Sequence, residues 1–493
     1  MMRTSLVGLF FLLLVSFGSY AQQSGSSSIQ YSAEVGAMAS SARRTPFWLR
    51  ANQFGTVPLV APAGTIKLGT SALFRRDTSG RGWFLGYRAE VVANAGPRNQ
   101  LLLPEAYANI GYRSVELVVG RRKEVLGLVD TTLSSGSYAW SGNAIPIPKI
   151  QIGTRGFVPL HFTRDLIAIN AFFAHGWFAN TDSIRNSYLH QKGVYGRIGK
   201  PHWKIKFYGG ILHNVQWGGE SAYLGTGHST SGRLPSSFND YLHIIVAKQP
   251  ASTDNISNHD LVNQFGNHVG SIDMGAEIAF SHWDALAYYQ HPFEDKSGVA
   301  LVNLPDGLYG LKLKRRATES SPFFQLNQVL FEYLTTMSQS GSTLDIGSRL
   351  YEGIDDYFNN FQYLNGWTYQ NQILGTPFIS RRQDVKTDWQ NRPGTHTLAI
   401  VNNRVQLLHL GLAGVFSSGV QIQSKLSLSR NYGIFRSPFG QTVRQFSGSV
   451  WLTWPLTWLG GSELQTAIAL DQGRLYTNSV GGWISLRKTW NKR

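Results

Sequence analysis

From Trp203 to Trp217 the residues alternate with a period of two, and the two faces this makes suit different solvents. One face carries Trp203, Ile205, Phe207, Gly209, Ile211, His213, Val215 and Trp217. The other carries Lys204, Lys206, Tyr208, Gly210, Leu212, Asn214 and Gln216. A β-strand sends such sets to opposite sides of a sheet. The apolar set ends in tryptophan at both limits, as side chains do at a membrane–water interface. Two lysines on the opposite set are costly in lipid, so that face should look into a wet lumen.

The pattern recurs along the chain. Leu85, Tyr87, Ala89 and Val91 alternate with Gly86, Arg88 and Glu90. Ile272, Met274, Ala276, Ile278 and Phe280 alternate with Ser271, Asp273, Glu277 and Ser281. Val420, Ile422, Leu426 and Leu428 face away from Gln421, Gln423, Lys425, Ser427 and Ser429. Val480, Ile484, Leu486 and Trp490 face away from Ser485, Arg487 and Thr489. Further candidate strands lie near 31–39, 65–75, 105–112, 114–122, 165–175, 193–199, 308–316, 324–335, 404–413, 446–454 and 463–471. A secreted β-sandwich also alternates. Charges on the polar face and aromatic caps on the apolar face favour instead a large antiparallel transmembrane β-barrel, all-β in class.

Composition supports that choice. Aromatic residues are 13% and charged residues only 15%, against about 25% charged in soluble domains. Beyond residue 21 no run of eighteen apolar residues offers a membrane helix, so strands would have to cross. At the start, Arg3, the apolar run Leu6–Phe17 and the small residue Ala21 follow the order of a secretory signal. The expected domains are therefore a signal peptide over 1–21 and an outer-membrane barrel over 22–493. Cysteine is absent, which removes disulfides, thiol nucleophiles and Cys metal sites. The net charge of +16 would point to nucleic acid in a cytoplasmic protein. In an exported chain it points away from nucleic acid, toward acidic polysaccharide or lipopolysaccharide phosphate.

Three stretches do not alternate and read as helical or plug insertions, near 45–55, 128–160 and 218–268. Pro46 to Gln53 can open a short helix with Thr45 as cap and Pro46 at the first position. Ser236 to Ala247 can form another. Sequence motifs for chemistry are lacking: there is no phosphate loop, no His-Glu-x-x-His and no Gly-x-Ser-x-Gly. Thirteen histidines are scattered without metal spacing. Glu294-Asp295 and Asp355-Asp356 read as solvated turn residues. The cluster Arg121-Arg122-Lys123-Glu124 reads as internal ion pairing with Glu105 and Glu116, because unpaired charge inside a barrel is costly.

Several stretches together resemble the Wzi capsule-assembly family, in a branch similar to that of Bacteroidetes. They are Pro46–Gly55, Gly120–Gln151, Gly266–Ser271, His291–Gly298 with Pro305–Gly310, Asp355–Asn360 and Gly366–Tyr369. The resemblance implies a barrel of about eighteen strands with a small helical element. It also implies a non-enzymatic, cofactor-free role in attaching or assembling capsular polysaccharide, with outer-membrane lipid, lipopolysaccharide and the capsule export machinery as partners. Candidate sugar contacts are Tyr138, Trp140, Trp217, Tyr223 and Trp367, with Arg121, Arg122 and Lys149. For each of these aromatics, interface belt or loop core is the more common role. A porin or substrate channel would share the barrel, and so would an outer-membrane hydrolase.

Overall fold

A computed structural model describes residues 29–75, 82–225, 229, 231–247, 265–316, 323–343, 345, 353, 355–395 and 397–492. The signal read at 1–21 lies outside them. Eighteen antiparallel strands close into one barrel. In chain order they are β1 (Ile29–Ser40), β2 (Ala63–Arg75), β3 (Trp83–Ala95), β4 (Gln100–Tyr112), β5 (Val115–Arg121) and β6 (Lys149–Thr154). Next come β7 (Ile167–Trp177), β8 (Tyr188–Ile198), β9 (Ile205–Trp217), β10 (Asn267–Ala279), β11 (Trp283–Phe293) and β12 (Gly307–Arg315). The ring is completed by β13 (Phe324–Thr335), β14 (Val405–Phe416), β15 (Gln421–Ile434), β16 (Ser437–Leu456), β17 (Ser462–Gly473) and β18 (Ser479–Lys492). Each strand pairs with its neighbour in sequence, and β18 returns to β1 with Ile29 opposite Lys492 and Ser40 opposite Gly481. Closure leaves no unpaired edge, as a bilayer requires.

The alternating sets take the sides expected of them. Ile205, Phe207, Ile211, Met274, Leu428, Ile484 and Leu486 are exposed on the outer wall. Lys206, on the other face of β9, bonds Glu277 of β10 at 2.7 Å inside the lumen. Aromatic pairs ring the outer wall at two levels. Tyr31–Trp490, Trp83–Tyr112 and Phe324–Phe416 mark one; Tyr289–Tyr309 and Tyr309–Tyr333 mark the other. Such girdles bound the apolar band of a membrane barrel.

The two ends differ. At the end holding Ile29 and Lys492 most connections are short, as at 113–114, 280–282 and 417–420, the 155–166 connection being the longer exception. At the other end four are long, 41–62, 122–148, 218–266 and 336–404, although 96–99 and 435–436 are tight. Short periplasmic turns and long extracellular loops orient barrels of this type, so the long-loop end is the outer one.

Long loops fold back into the lumen as a plug, tied to inward-facing wall residues. The Leu128 N–H donates to Asp273 of β10 (2.6 Å), and the Ser135 N–H to Glu332 of β13 (2.6 Å). The Tyr138 N–H donates to Gln290 of β11 (3.0 Å). The helix α1 (Phe47–Arg50) gives its Phe47 N–H to Asp471 of β17 (2.8 Å) and its Trp48 indole N–H to Ser427 of β15 (3.2 Å). Thr45 does not cap it: Pro46 is the N-cap residue, and the Thr45 hydroxyl donates to the Pro58 carbonyl at 2.8 Å. Two apolar clusters fill the lumen. One gathers Tyr138, Trp140, Tyr357, Phe358 and Trp367 against Leu189, Leu212 and Val269 of the wall. The other gathers Phe47, Trp48, Phe378 and Trp389 against Leu308, Leu330 and Leu407.

Helix α2 (Phe238–Val246) begins at Ser237 in a reciprocal capping box with Asp240, the arrangement that satisfies two otherwise orphaned N–H groups. It lies on the outer wall rather than in the lumen. Tyr241 stacks on Trp217 at 5.0 Å, and Lys192 of β8 donates to the Ile245 carbonyl. The helix thereby shields outward-facing His190, His213 and His268, which are buried.

Candidate functional site

A cavity of about 930 Å³ at the outer end is a cleft between loop 178–187, Tyr223 and the plug segment 363–399. Apolar and polar groups share its surface about equally, the polar ones including Asn180, Ser183, Asn365, Thr368, Gln370 and Asn371. Local chain chemistry places them. Thr368–Tyr369 and Gln372–Ile373 pair as a minimal hairpin. Its two linking residues, Gln370 and Asn371, both have positive φ, +46° and +63°, as a type I′ turn demands. The turn leaves both amide side chains exposed in the cleft. On the facing loop, the Thr181 hydroxyl accepts the Ile184 N–H (3.1 Å), and the Asn180 side-chain amide oxygen accepts the Asn186 N–H (2.9 Å).

Charge in the cleft is largely spoken for. Arg381 bonds Asp384 at 3.0 Å, and Arg382 donates to the carbonyls of Thr395 and Leu398. Burial works to raise the Asp384 pKa, but Arg381, Arg44 and Arg50 outweigh it and hold the carboxyl well below the usual range. Left facing the cleft are neutral donors and acceptors, the exposed carboxylate of Asp182 and an exposed ring, Tyr223 (68% exposed). Amides and hydroxyls match the alternating donors and acceptors of sugar hydroxyls, and an aromatic face packs against the apolar face of a sugar ring.

The eight residues singled out from sequence fall in different places. Tyr223 alone lines the cleft as an exposed ring. Trp367 lies directly beneath it, fully buried, with its indole N–H on the Ala139 carbonyl at 2.9 Å. Trp140 packs edge-on against Trp367, and Tyr138 packs against Phe358. Trp217 lies on the outer wall under α2. Four of the five aromatics thus give their faces to protein.

Arg121 reaches the cleft indirectly, its guanidinium 3.3 Å from the Tyr369 hydroxyl. Arg122 pairs with Glu116 (2.5 Å) and Glu124 (2.6 Å). Lys149 pairs with Glu124 at 2.6 Å and lies 5.5 Å from the Trp140 ring. Glu124 is largely buried, its side chain 10% exposed. Burial works to raise its pKa, but Lys149 and Arg122 bring it below the usual value. The basic cluster therefore pairs internally, and these ions hold the base of the plug.

The carboxylate pairs are not solvated turns. Glu294 accepts the Phe358 N–H (2.9 Å) and the Tyr138 hydroxyl (3.3 Å). Asp295 accepts the Ser297 and Gly298 N–H groups. Asp355 accepts the Ser340 hydroxyl (2.7 Å), while Asp356 accepts the Asn359 and Asn403 amides. N–H groups and hydroxyls are there to meet them, so the pairs can be buried, and they fasten the plug to the β11–β12 connection. Burial pushes Glu294 well up; burial and neighbouring Asp295 push Asp355 up to about 7.

No family model matches the sequence, and no curated protein matches it. Solved structures resemble it in fold. Wzi of Escherichia coli, an outer-membrane protein involved in group 1 capsule assembly and described as a carbohydrate-binding β-barrel, superposes with a TM-score of 0.57 at 12% identity. The match covers 92% of this chain and 83% of that one. OccK5 of Pseudomonas aeruginosa has a TM-score of 0.49 at 7% identity, covering 95% and 98%. The anion-selective porin of Comamonas acidovorans has 0.39 at 8%, covering 95% and 100%. The fold is that of outer-membrane β-barrels.

Proposed function

We propose that this barrel is a Wzi-type surface protein that holds capsular or other surface polysaccharide, without catalysis, in the cleft between loop 178–187 and plug segment 363–399. The observation that carries the reading is the pairing of an outward-open cleft bearing exposed amides and the Tyr223 ring with a lumen packed by apolar side chains beneath it. Such a floor suits retention at the surface better than passage through the wall. The Wzi-like motifs of the sequence and the fold similarity to a carbohydrate-binding barrel support it further.

A channel remains the competing reading, favoured by one feature. Beneath the plug residues Gln53 and Phe54 the lumen keeps a charged pocket of about 190 Å³ with Glu34, Lys67, Arg88, Glu90 and Lys123. One experiment separates the two. A strain lacking the protein should shed capsule into the medium while nutrient uptake is unchanged, and the purified barrel should bind the shed polymer. Capsule retention equal to the parent strain would sink the proposal. Stepwise conductance of the wild-type barrel in planar bilayers would favour the channel.

A further inference from the structure

The outer wall carries one feature that neither a binding cleft nor a plug requires. Arg430 of β15 and Arg444 of β16 lie directly opposite each other in register. Both belong to the outward-facing set, because their strand partners two residues away, Leu428 and Phe446, also face outward opposite each other. Like charges directly opposite across a sheet repel. Neither guanidinium has an ion-pair or hydrogen-bond partner among the described residues. Nothing within the wall offsets the repulsion.

Beneath the two arginines the wall is hollowed. A groove of about 540 Å³ runs across β13 to β17, lined on its outer surface by Tyr333, Leu408, Leu428, Phe446 and the two arginines. No acidic residue lines it. Its height in the membrane follows from the girdle. Tyr333 belongs to the outer aromatic level through its contact with Tyr309, and Tyr333 is opposite Leu408 in register. The arginines stand one step further toward the long-loop end, near the interface, where a charge on the lipid face costs far less than at the midplane. The segment Gln421–Arg430 is about as long as a strand needs to cross the hydrocarbon core, which again sets Arg430 at its upper boundary.

We infer that this groove seats one phosphorylated lipid of the outer leaflet, its phosphate between Arg430 and Arg444 and an acyl chain against Leu408, Leu428 and Phe446. The chemistry is that of the lipid anchor of lipopolysaccharide. Guanidinium groups bind phosphate bidentately, and a shared dianion turns the cross-strand repulsion into attraction. Charge complementarity chooses the head group; continuity of the groove with the lipid-facing band chooses an acylated ligand.

The test uses the full-length barrel in detergent and two probes, bisphosphorylated lipid A and the same lipid after enzymatic removal of its phosphates. Lipid retained on the protein is counted by native mass spectrometry. The wild type should retain the phosphorylated form at least tenfold better than the dephosphorylated one. The double variant Arg430→Gln/Arg444→Gln should lose that advantage, while Lys488→Gln, an outward basic residue at the opposite rim, should keep it. Equal retention of both probes by the wild type overturns the inference and needs no variant to fold. Undiminished retention by a double variant with unchanged thermal unfolding overturns it as well. Displacement of the lipid by millimolar inorganic phosphate would show that the acyl chain contributes nothing, and would overturn the assignment to lipid.

Discussion

The indole N–H of Trp367 donates to the Ala139 carbonyl at 2.9 Å, joining two plug segments that lie 228 residues apart in sequence. The bond sits at the floor of the outer cleft, with Trp140 packed against the same ring. Stability of the plug and shape of the cleft therefore meet at one side chain.

Replacing Trp367 by Ala removes a fully buried ring and strands the Ala139 carbonyl. The expected loss is about 3–5 kcal/mol, read as a lower urea midpoint for the detergent-solubilised barrel. The floor should also loosen, so bilayer conductance of the variant should exceed that of the wild type. Unchanged conductance together with an unchanged midpoint would contradict the role given to this ring.

Glu124→Gln takes the charge from beneath both Lys149 and Arg122. Lys149 and Glu124 are only 5% and 10% exposed, and breaking one side of a buried pair costs about 3–5 kcal/mol. The double variant Glu124→Gln/Lys149→Met should recover most of that loss. A single variant as stable as the wild type would mean that water, and not Lys149, satisfies Glu124.

The Asp355 carboxyl gives the plug a pH dependence with a definite sign. Its folded pKa of about 7 lies above the usual value of 3.8. The folded state thus binds the extra proton between those values, and the group contributes most stability below about pH 4, losing it as pH rises through 7. Amide exchange of segment 355–360 should be slower at pH 5 than at pH 8 after correction for the intrinsic rate. Asp355→Asn should flatten the difference; a difference that persists would assign it to other groups.

In the cleft, Tyr223→Ala and Asn371→Ala each remove an exposed side chain. Each should weaken binding of the polysaccharide by roughly fivefold to tenfold, the effect of one hydrogen bond or ring contact at about 1 kcal/mol. Thermal unfolding should be unaltered. Full affinity in the double variant would place the sugar elsewhere.

The wall was legible from the residues because the bilayer imposes a period of two that survives in every long strand. Lys204 and Lys206 set against Ile205 and Phe207 were enough to orient β9. Strand β6 was missed: preceded by Pro146 and Pro148, it shows only Lys149/Ile150 and Gln151/Ile152 before Gly153. The plug was harder still. Tyr357, Phe358, Trp367, Ile373 and Phe378 form its core with no repeat, since irregular backbone places them. The cleft was largely overlooked because aromatic and basic residues drew attention. Its signal was there in the runs Asn180-Thr181-Asp182-Ser183 and Gln370-Asn371-Gln372, polar stretches without charge repeats or periodicity.

The inner wall has a further consequence for the plug. An ordinary domain exposes its polar groups to water, which rearranges to suit any sequence. Here Asp273, Gln290, Glu332, Ser427 and Asp471 take that part, and they cannot rearrange. The plug is in effect dissolved in a solvent of fixed orientation. A change on the wall is then a change of medium, felt by loops it never bonds covalently, and the plug and wall can drift in sequence only as a matched pair.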